Sequence, residues 1–141
     1  MIELSEQVLP LDPRDGGSAF LAAAGLVITT VRADRFEGYI DLDEQHHQPW
    51  GIVHGGVYAT AVESAASLGA SAFAAERGQY AVGVNNNTNF LRPLTAGRVD
   101  VTAWPIQQGR TQQLWQVEIV DEAGRLIATG QLRVANVDLP A

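Results

Sequence analysis

The sequence predicts an α+β fold in which an antiparallel sheet lies against one long helix. Three observations carry this. The run from Gly55 to about Arg77 is rich in Ala, the strongest helix former, and starts just after a glycine turn. After Gly78 the pattern changes to four runs of strand character, separated by turn residues. The chain has 141 residues, 46% hydrophobic and 18% charged, enough to bury a core without disulfides and too apolar for a disordered chain.

The elements follow in order. The opening MIELSEQVLPLDPRDGG is acidic and broken by prolines, unlike a signal peptide. Residues 1–16 are read as an N-terminal arm and residues 17–141 as a single domain. Gly17–Ala24 reads as a short helix with Ser18 as its N-cap. Leu26–Arg32 and Phe36–Leu42 read as a hairpin turning at Ala33–Asp34, and Asp43–Gly51 as a polar loop. Gly55 to about Arg77 is the long helix. Gly69 inside it costs about 1 kcal/mol relative to Ala, which points to close packing against the sheet. The later strands are Tyr80–Leu91, Val99–Ile106, Thr111–Val120 and Arg125–Ala135. Pro105 falls near a strand end, where a missing ladder donor is tolerated. In the third of these strands, Trp115, Val117 and Ile119 alternate with Leu114, Gln116, Glu118 and Val120. Such a sheet leaves edges and one face open, so an oligomer is expected.

Charge and composition exclude some functions. A net charge of -7 argues against nucleic-acid binding, although local arginines still suit a small anionic ligand. The absence of cysteine excludes thiolate metal sites and a cysteine nucleophile, and fits a cytoplasmic protein. The longest apolar run contains Glu63, His54 and several serines, so no membrane span is expected.

Between Gln45 and Ala75 the only formally charged side chain is Glu63. A charge on a helix of apolar character is costly unless something holds it. Thr60, Glu63, Ser64, Ser67 and Ser71 fall on one stripe of that helix. The stripe is built from small hydroxyls, unlike a solvated face, and reads as the lining of a cavity. Glu63 is then either a structural glutamate bonded to Ser67 or Thr60, or a nucleophile or general base. At the helix start, His54-Gly55-Gly56 places free N–H groups where they can polarise a carbonyl, or forms an ordinary glycine turn. Gly55 and Glu63 are eight residues apart, about 12 Å along a helix. Two groups acting on one carbonyl need to lie much closer, so a shared site requires two subunits, as in a two-fold dimer with the long helices side by side.

The run Gln48-Pro49-Trp50-Gly51-Ile52-Val53-His54-Gly55-Gly56, followed by Glu63-Ser64 and Ser67, resembles the hotdog-fold acyl-CoA thioesterases. Within them it is most similar to the phenylacetic-acid-pathway-like group, in the branch with a helical glutamate. That branch includes the glutamate-type 4-hydroxybenzoyl-CoA and the 1,4-dihydroxy-2-naphthoyl-CoA thioesterases. The likeness runs from about Leu26 to Ala135 and includes the later Gly109-Arg110-Thr111.

The resemblance implies a hotdog fold, with the sheet wrapped around the central helix, and hydrolysis of an acyl-CoA to carboxylate and free coenzyme A. Coenzyme A is then part of the substrate and no separate cofactor or metal is implied. Glu63 would act as nucleophile or general base, and the Gly55 N–H of the neighbouring subunit would polarise the thioester carbonyl. Gln48 and His54 would position the thioester, and Ser67 the acyl group or water. The coenzyme A arm would run past Asn89, Arg92, Arg110 and Thr111, arginine being suited to phosphate. A homodimer with composite sites, assembled into a homotetramer, is implied as well. The chain departs from the pattern in its run Asn85-Asn86-Asn87-Thr88-Asn89, poor in strand propensity, with Asn89 where some relatives carry histidine. Tyr58, Leu68 and Val82 are candidates for the acyl pocket.

The same scaffold can serve two other roles. A hydratase or dehydratase would use a histidine followed by Phe-Pro-Gly and a shorter glycine-to-acid spacing, both missing here. A non-catalytic acyl-CoA sensor would not need Glu63. His46, His47 and His54 with Glu44 follow no metal-ligand spacing.

Overall fold

The computed structural model describes residues 18–140, so the predicted arm over residues 1–16 lies outside the described residues. A short helix α1, Ala19–Ala24, is capped by Ser18, whose hydroxyl accepts from the Leu21 N–H at 3.1 Å. It ends at Gly25 in the left-handed region. Strands β1, Leu26–Arg32, and β2, Arg35–Leu42, form the expected hairpin. A single 3-10 turn, Glu44–His46, interrupts the loop that follows. The long helix α2 runs Gly55–Ala74 and tightens into a 3-10 turn, Ala75–Arg77, before Gly78. Strands β3, Gln79–Phe90, β4, Gly97–Gln108, β5, Gln112–Asp121, and β6, Leu126–Asp138, complete the described chain. All six strands form one antiparallel sheet in the order β1-β2-β4-β5-β6-β3, which makes β3 an edge.

Helix α2 buries Tyr58, Ala61, Val62, Ala65, Ala66, Gly69 and Ala70, the three-and-four spacing of one helix face. That face is made of small residues because the sheet supplies the bulk. Trp115, Val117 and Ile119 of β5, which the alternation places on one face, point inward and are fully buried. The need for Gly69 is explained directly: a Cβ there would stand 2.5 Å from the Trp115 ring.

A buried amide network locks this contact. Trp115 Nε1 donates to Gln113 Oε1 at 2.9 Å, and Gln113 Nε2 donates to the Ala70 carbonyl at 3.0 Å and to Asn136 Oδ1 at 2.8 Å. Gln113 is fully buried, and these partners offset the desolvation of its amide. Near Pro105 the β4–β5 register shifts, a bulge that accommodates the missing donor inside a strand. The Asp121–Gly124 turn is organised by Asp121 Oδ1, which accepts from the Arg125 N–H at 2.8 Å and the Ala123 N–H at 3.0 Å. The Arg125 N–H and then its guanidinium hold the Asp121 carboxyl below the usual carboxylate range.

Candidate active site

The first turn of α2 has a defined set of donors. His54 is its N-cap, with Nδ1 accepting from the Gly56 N–H at 2.7 Å and its carbonyl accepting from Val57 at 3.0 Å. No acceptor for the Gly55 N–H is found among the described residues. The absence of a side chain at Gly55 matters, because a Cβ there would lie 2.8 Å from the Phe90 ring. Gly55 borders a cavity of about 280 Å³ lined also by Gln48, Tyr58, Phe90 and Arg92. Gln48 is held by its backbone N–H on the Ile52 carbonyl at 2.8 Å and by its Oε1, which accepts from the Trp50 N–H. Tyr58 is 3% exposed, and its hydroxyl has no partner among the described residues. Burial pushes that hydroxyl up to about 12.

Glu63 lies two turns further along. It is half-buried and faces a second cavity, of about 490 Å³, with Thr60 and Ser64 of α2, Asn86 of β3, and Phe20 and Leu21 of α1. Its Oε1 accepts from Asn86 Nδ2 at 3.3 Å. Its Oε2 lies against Gly83, where any Cβ would collide with it. The carboxylate therefore faces an open cavity instead of the apolar core.

The stripe of small polar residues divides. Thr60, Glu63 and Ser64 line the cavity. Ser71 does not: it is buried, and its Oγ accepts from the Ala81 N–H at 3.0 Å, tying α2 to the start of β3. Ser67 is half-buried and lies between these two ends.

Within one chain, the sequence-derived candidates fall in separate places. Gln48, Gly55 and Arg92 share the first cavity, and Glu63 lines the second. His54 borders a third concavity with Gly56 and Thr60. Asn89 lies with Asn87, Gln116 and Gln131 in a polar groove away from Glu63, because strand alternation turns it from the side that Asn86 presents to the helix. Arg110 and Thr111 sit on the β4–β5 hairpin, where their carbonyls accept from Asn136 Nδ2 and the Asn136 N–H. Asn136 pairs with Ala81, and Ala81 to Arg92 spans eleven residues, about 35 Å of extended chain. One chain thus brings Arg92, but not Asn89, Arg110 or Thr111, to Gly55.

His46 and His47 are used by the backbone. His46 is buried, with Nδ1 accepting from Asp43 at 3.0 Å and Nε2 donating to the Ala24 carbonyl at 2.8 Å. His47 Nε2 donates to the Thr95 carbonyl at 2.6 Å. Sequence reasoning missed Phe20 and Leu21 as cavity walls, since α1 is far from Glu63 in the chain. It also missed Asn86 as a Glu63 partner, although the asparagine run was a visible anomaly. Among the described residues, no helix is long and apolar enough to cross a membrane.

Comparison with known proteins adds an independent line. The model of the thioesterase superfamily matches residues 51–128, which include Gly55, Glu63 and Asn86. A Mycobacterium tuberculosis protein that carries an esterase name is 41% identical over 121 residues, 84% of this chain and 86% of that protein. Its solved structure superposes with a TM-score of 0.84 at 40% identity, covering 88% of this chain and all of that one. The proofreading thioesterase EntH of Klebsiella pneumoniae is 33% identical over 118 residues, 84% of this chain and 85% of EntH. A crystal structure of a thioesterase from Haemophilus influenzae is 32% identical, with a TM-score of 0.81 over 88% of this chain and 86% of that one.

Proposed function

The chain belongs to the thioesterase superfamily and has the hotdog fold, and from that premise we propose that this thioester hydrolase cleaves an acyl-coenzyme A, aromatic or medium to long chain. Glu63 is the reacting carboxylate. The Gly55 N–H of the neighbouring subunit polarises the thioester carbonyl. One observation carries this reading: within a chain, the carboxylate and the unpartnered N–H line different cavities. They are about 12 Å apart on the same helix, so neither cavity has both. A two-fold dimer with antiparallel α2 helices completes both sites at once. The edge strand β3 supports this pairing, with Val84 and Phe90, and Leu91 just beyond it, more than half exposed. A homotetramer built from two such dimers is the proposed assembly, in the cytoplasm.

Two routes give the same products. In the first, Glu63 takes a proton from water while the water oxygen bonds to the thioester carbon. The carbonyl electrons move to oxygen, which the Gly55 N–H stabilises. The C–S bond then breaks and the leaving thiolate takes the proton from Glu63. In the second, a Glu63 oxygen bonds to the thioester carbon and expels the thiolate, and water cleaves the resulting anhydride. In isotopically labelled water, a first turnover that delivers unlabelled oxygen to the product is open only to the second route.

Gln48 and His54 position the thioester and Ser67 the acyl group or water. Asn89, Arg92, Arg110 and Thr111 follow the coenzyme A arm, with contributions from both subunits. No separate cofactor takes part. Phe20 and Leu21 beside Glu63 favour an apolar acyl group.

Thiol release over a panel of aromatic and aliphatic acyl-CoAs tests the substrate class, and no release from any of them retires it. Subunit mixing tests the composite site. Glu63→Ala and Gly55→Pro should each be inactive; proline removes the N–H at a first helical position that suits its backbone, and the exposed Phe90 ring must shift to admit its Cβ. Refolded together, they should regain about a quarter of wild-type activity, since half of the dimers are mixed and each has one intact site. No recovery would place both groups in one chain's site.

A further inference from the structure

We infer that Asn86 is a positioning residue for Glu63, itself held by Thr88, with Gly83 making room for the carboxylate and Gly130 for Thr88. The inference rests on the reading of Glu63 as the reacting carboxylate and adds a residue that reading does not contain. Asn86 Nδ2 has two protons and two acceptors. One is the Ala59 carbonyl at 3.0 Å, the other Glu63 Oε1 at 3.3 Å. Ala59 and Glu63 are four residues apart on α2, so a single amide spans one turn of the helix face.

The third partner fixes which way the amide points. Asn86 Oδ1 lies 2.6 Å from Thr88 Oγ1. An amide oxygen only accepts, so the Thr88 hydroxyl must donate. Turning the amide over would set its oxygen against a carbonyl and a carboxylate, two acceptors, and would leave no donor for either. All three contacts therefore agree on one orientation, with N–H directed at Glu63.

The neighbouring glycines explain why there is room. Thr88 pairs with Gly130 across the β3–β6 ladder, and a Cβ at Gly130 would lie 2.9 Å from Thr88 Oγ1 and 3.0 Å from Val62 Cγ1. Gly83 admits the other carboxylate oxygen, as its bare Cα leaves the space Oε2 occupies. The β3 register shifts between Gly83 and Asn85, and from there Asn86 and Thr88 present their side chains to the helix. The asparagine run is a poor strand former, and Asn86 and Thr88 within it make these contacts. Among the described residues that line the cavity, Glu63 is the only titratable one. Asn86 is the side chain there that hydrogen-bonds the carboxylate, and so it sets the direction in which Glu63 points.

The test uses the full chain, saturating and subsaturating acyl-CoA, and the rate of thiol release. Asn86→Ala should lower kcat about tenfold with KM changed less than twofold, since misdirecting a reacting group acts on the transition state. Asn86→Asp sets a second carboxylate beside Glu63 and should move the acid limb of the kcat/KM pH profile upward by about one unit. Thr88→Val should lower kcat about threefold, and Thr88→Ser should restore it. Thermal melts check that each variant folds; if the Asn86 variants do not, the Thr88 pair carries the test. Wild-type kcat and pH profile in the Asn86 variants, or equal rates in the two Thr88 variants, overturn the inference. Inactivity of Glu63→Ala alongside that result leaves the Glu63 reading intact. Wild-type activity in Glu63→Ala removes both.

Discussion

The two halves of α2 carry similar polar residues and use them differently. Towards the C-terminal end, every polar group named has a partner inside the fold. Ser71 Oγ accepts from Ala81, and Gln113 joins the Ala70 carbonyl to Trp115 and Asn136. Towards the N-terminal end, groups are open to a cavity or lack a partner among the described residues: the Gly55 N–H, the Tyr58 hydroxyl and the Glu63 carboxylate. A serine on one stripe is thus a strand anchor at one end, while Ser64 lines a cavity at the helix midpoint. What distinguishes a structural polar group from an available one here is its partner, not its residue type.

The comparison breaks most visibly at Glu63. Glu63→Ala should lower thiol release by about a thousandfold or more while the melting midpoint stays within about 2 °C, the loss expected when a reacting group is removed without disturbing the core. A matching fall in melting midpoint would make Glu63 structural and erase the contrast. The opposite end should behave in reverse. Trp115→Ala removes a fully buried ring and should cost about 3–5 kcal/mol in denaturant unfolding. Ser71→Ala leaves the buried Ala81 N–H without its acceptor and should cost about 1–3 kcal/mol, with kcat per folded molecule unchanged. A kcat loss there without a stability loss would move Ser71 into the site.

The smallest effect sharpens the contrast at Tyr58. A buried hydroxyl without a partner is a burden on the fold, so Tyr58→Phe should hold or raise the melting midpoint. Its pH dependence has a definite sign. The folded hydroxyl titrates at about 12, above its ordinary value of 10.0, so the neutral phenol favours the folded state. The contribution is fully present below pH 10 and is lost as pH rises through about 12. Wild type should therefore lose more stability than Tyr58→Phe between those limits, measured by denaturant midpoints.

Much of the fold was legible because its elements are locally encoded. The Ala-rich run and the glycines at Gly55 and Gly78 delimit α2, and the alternation around Trp115 separates the two faces of β5, of which the Trp115 face is the buried one. Gly69 was legible as a close approach, but the ring it approaches was not, since Trp115 is distant in sequence. Glu63 stood out as a lone charge on an apolar helix, and Gly55 as part of a glycine pair, because both signals lie within one short segment. The Asn86 contact was hidden, as it depends on the β3 register shift and on which face of an edge strand meets the helix. The same holds for the separation of Asn89, Arg110 and Thr111 from Arg92.

By itself the sequence determined the helix, the strands, the isolated carboxylate and its eight-residue distance from Gly55, since periodicity and propensity act between near neighbours. Which polar groups the fold uses, and which face a cavity, follows from contacts between distant segments. Hydrogen-bond partners such as Gln113 for Ala70, and Asn86 for Glu63, come from segments that meet only when the sheet closes on the helix.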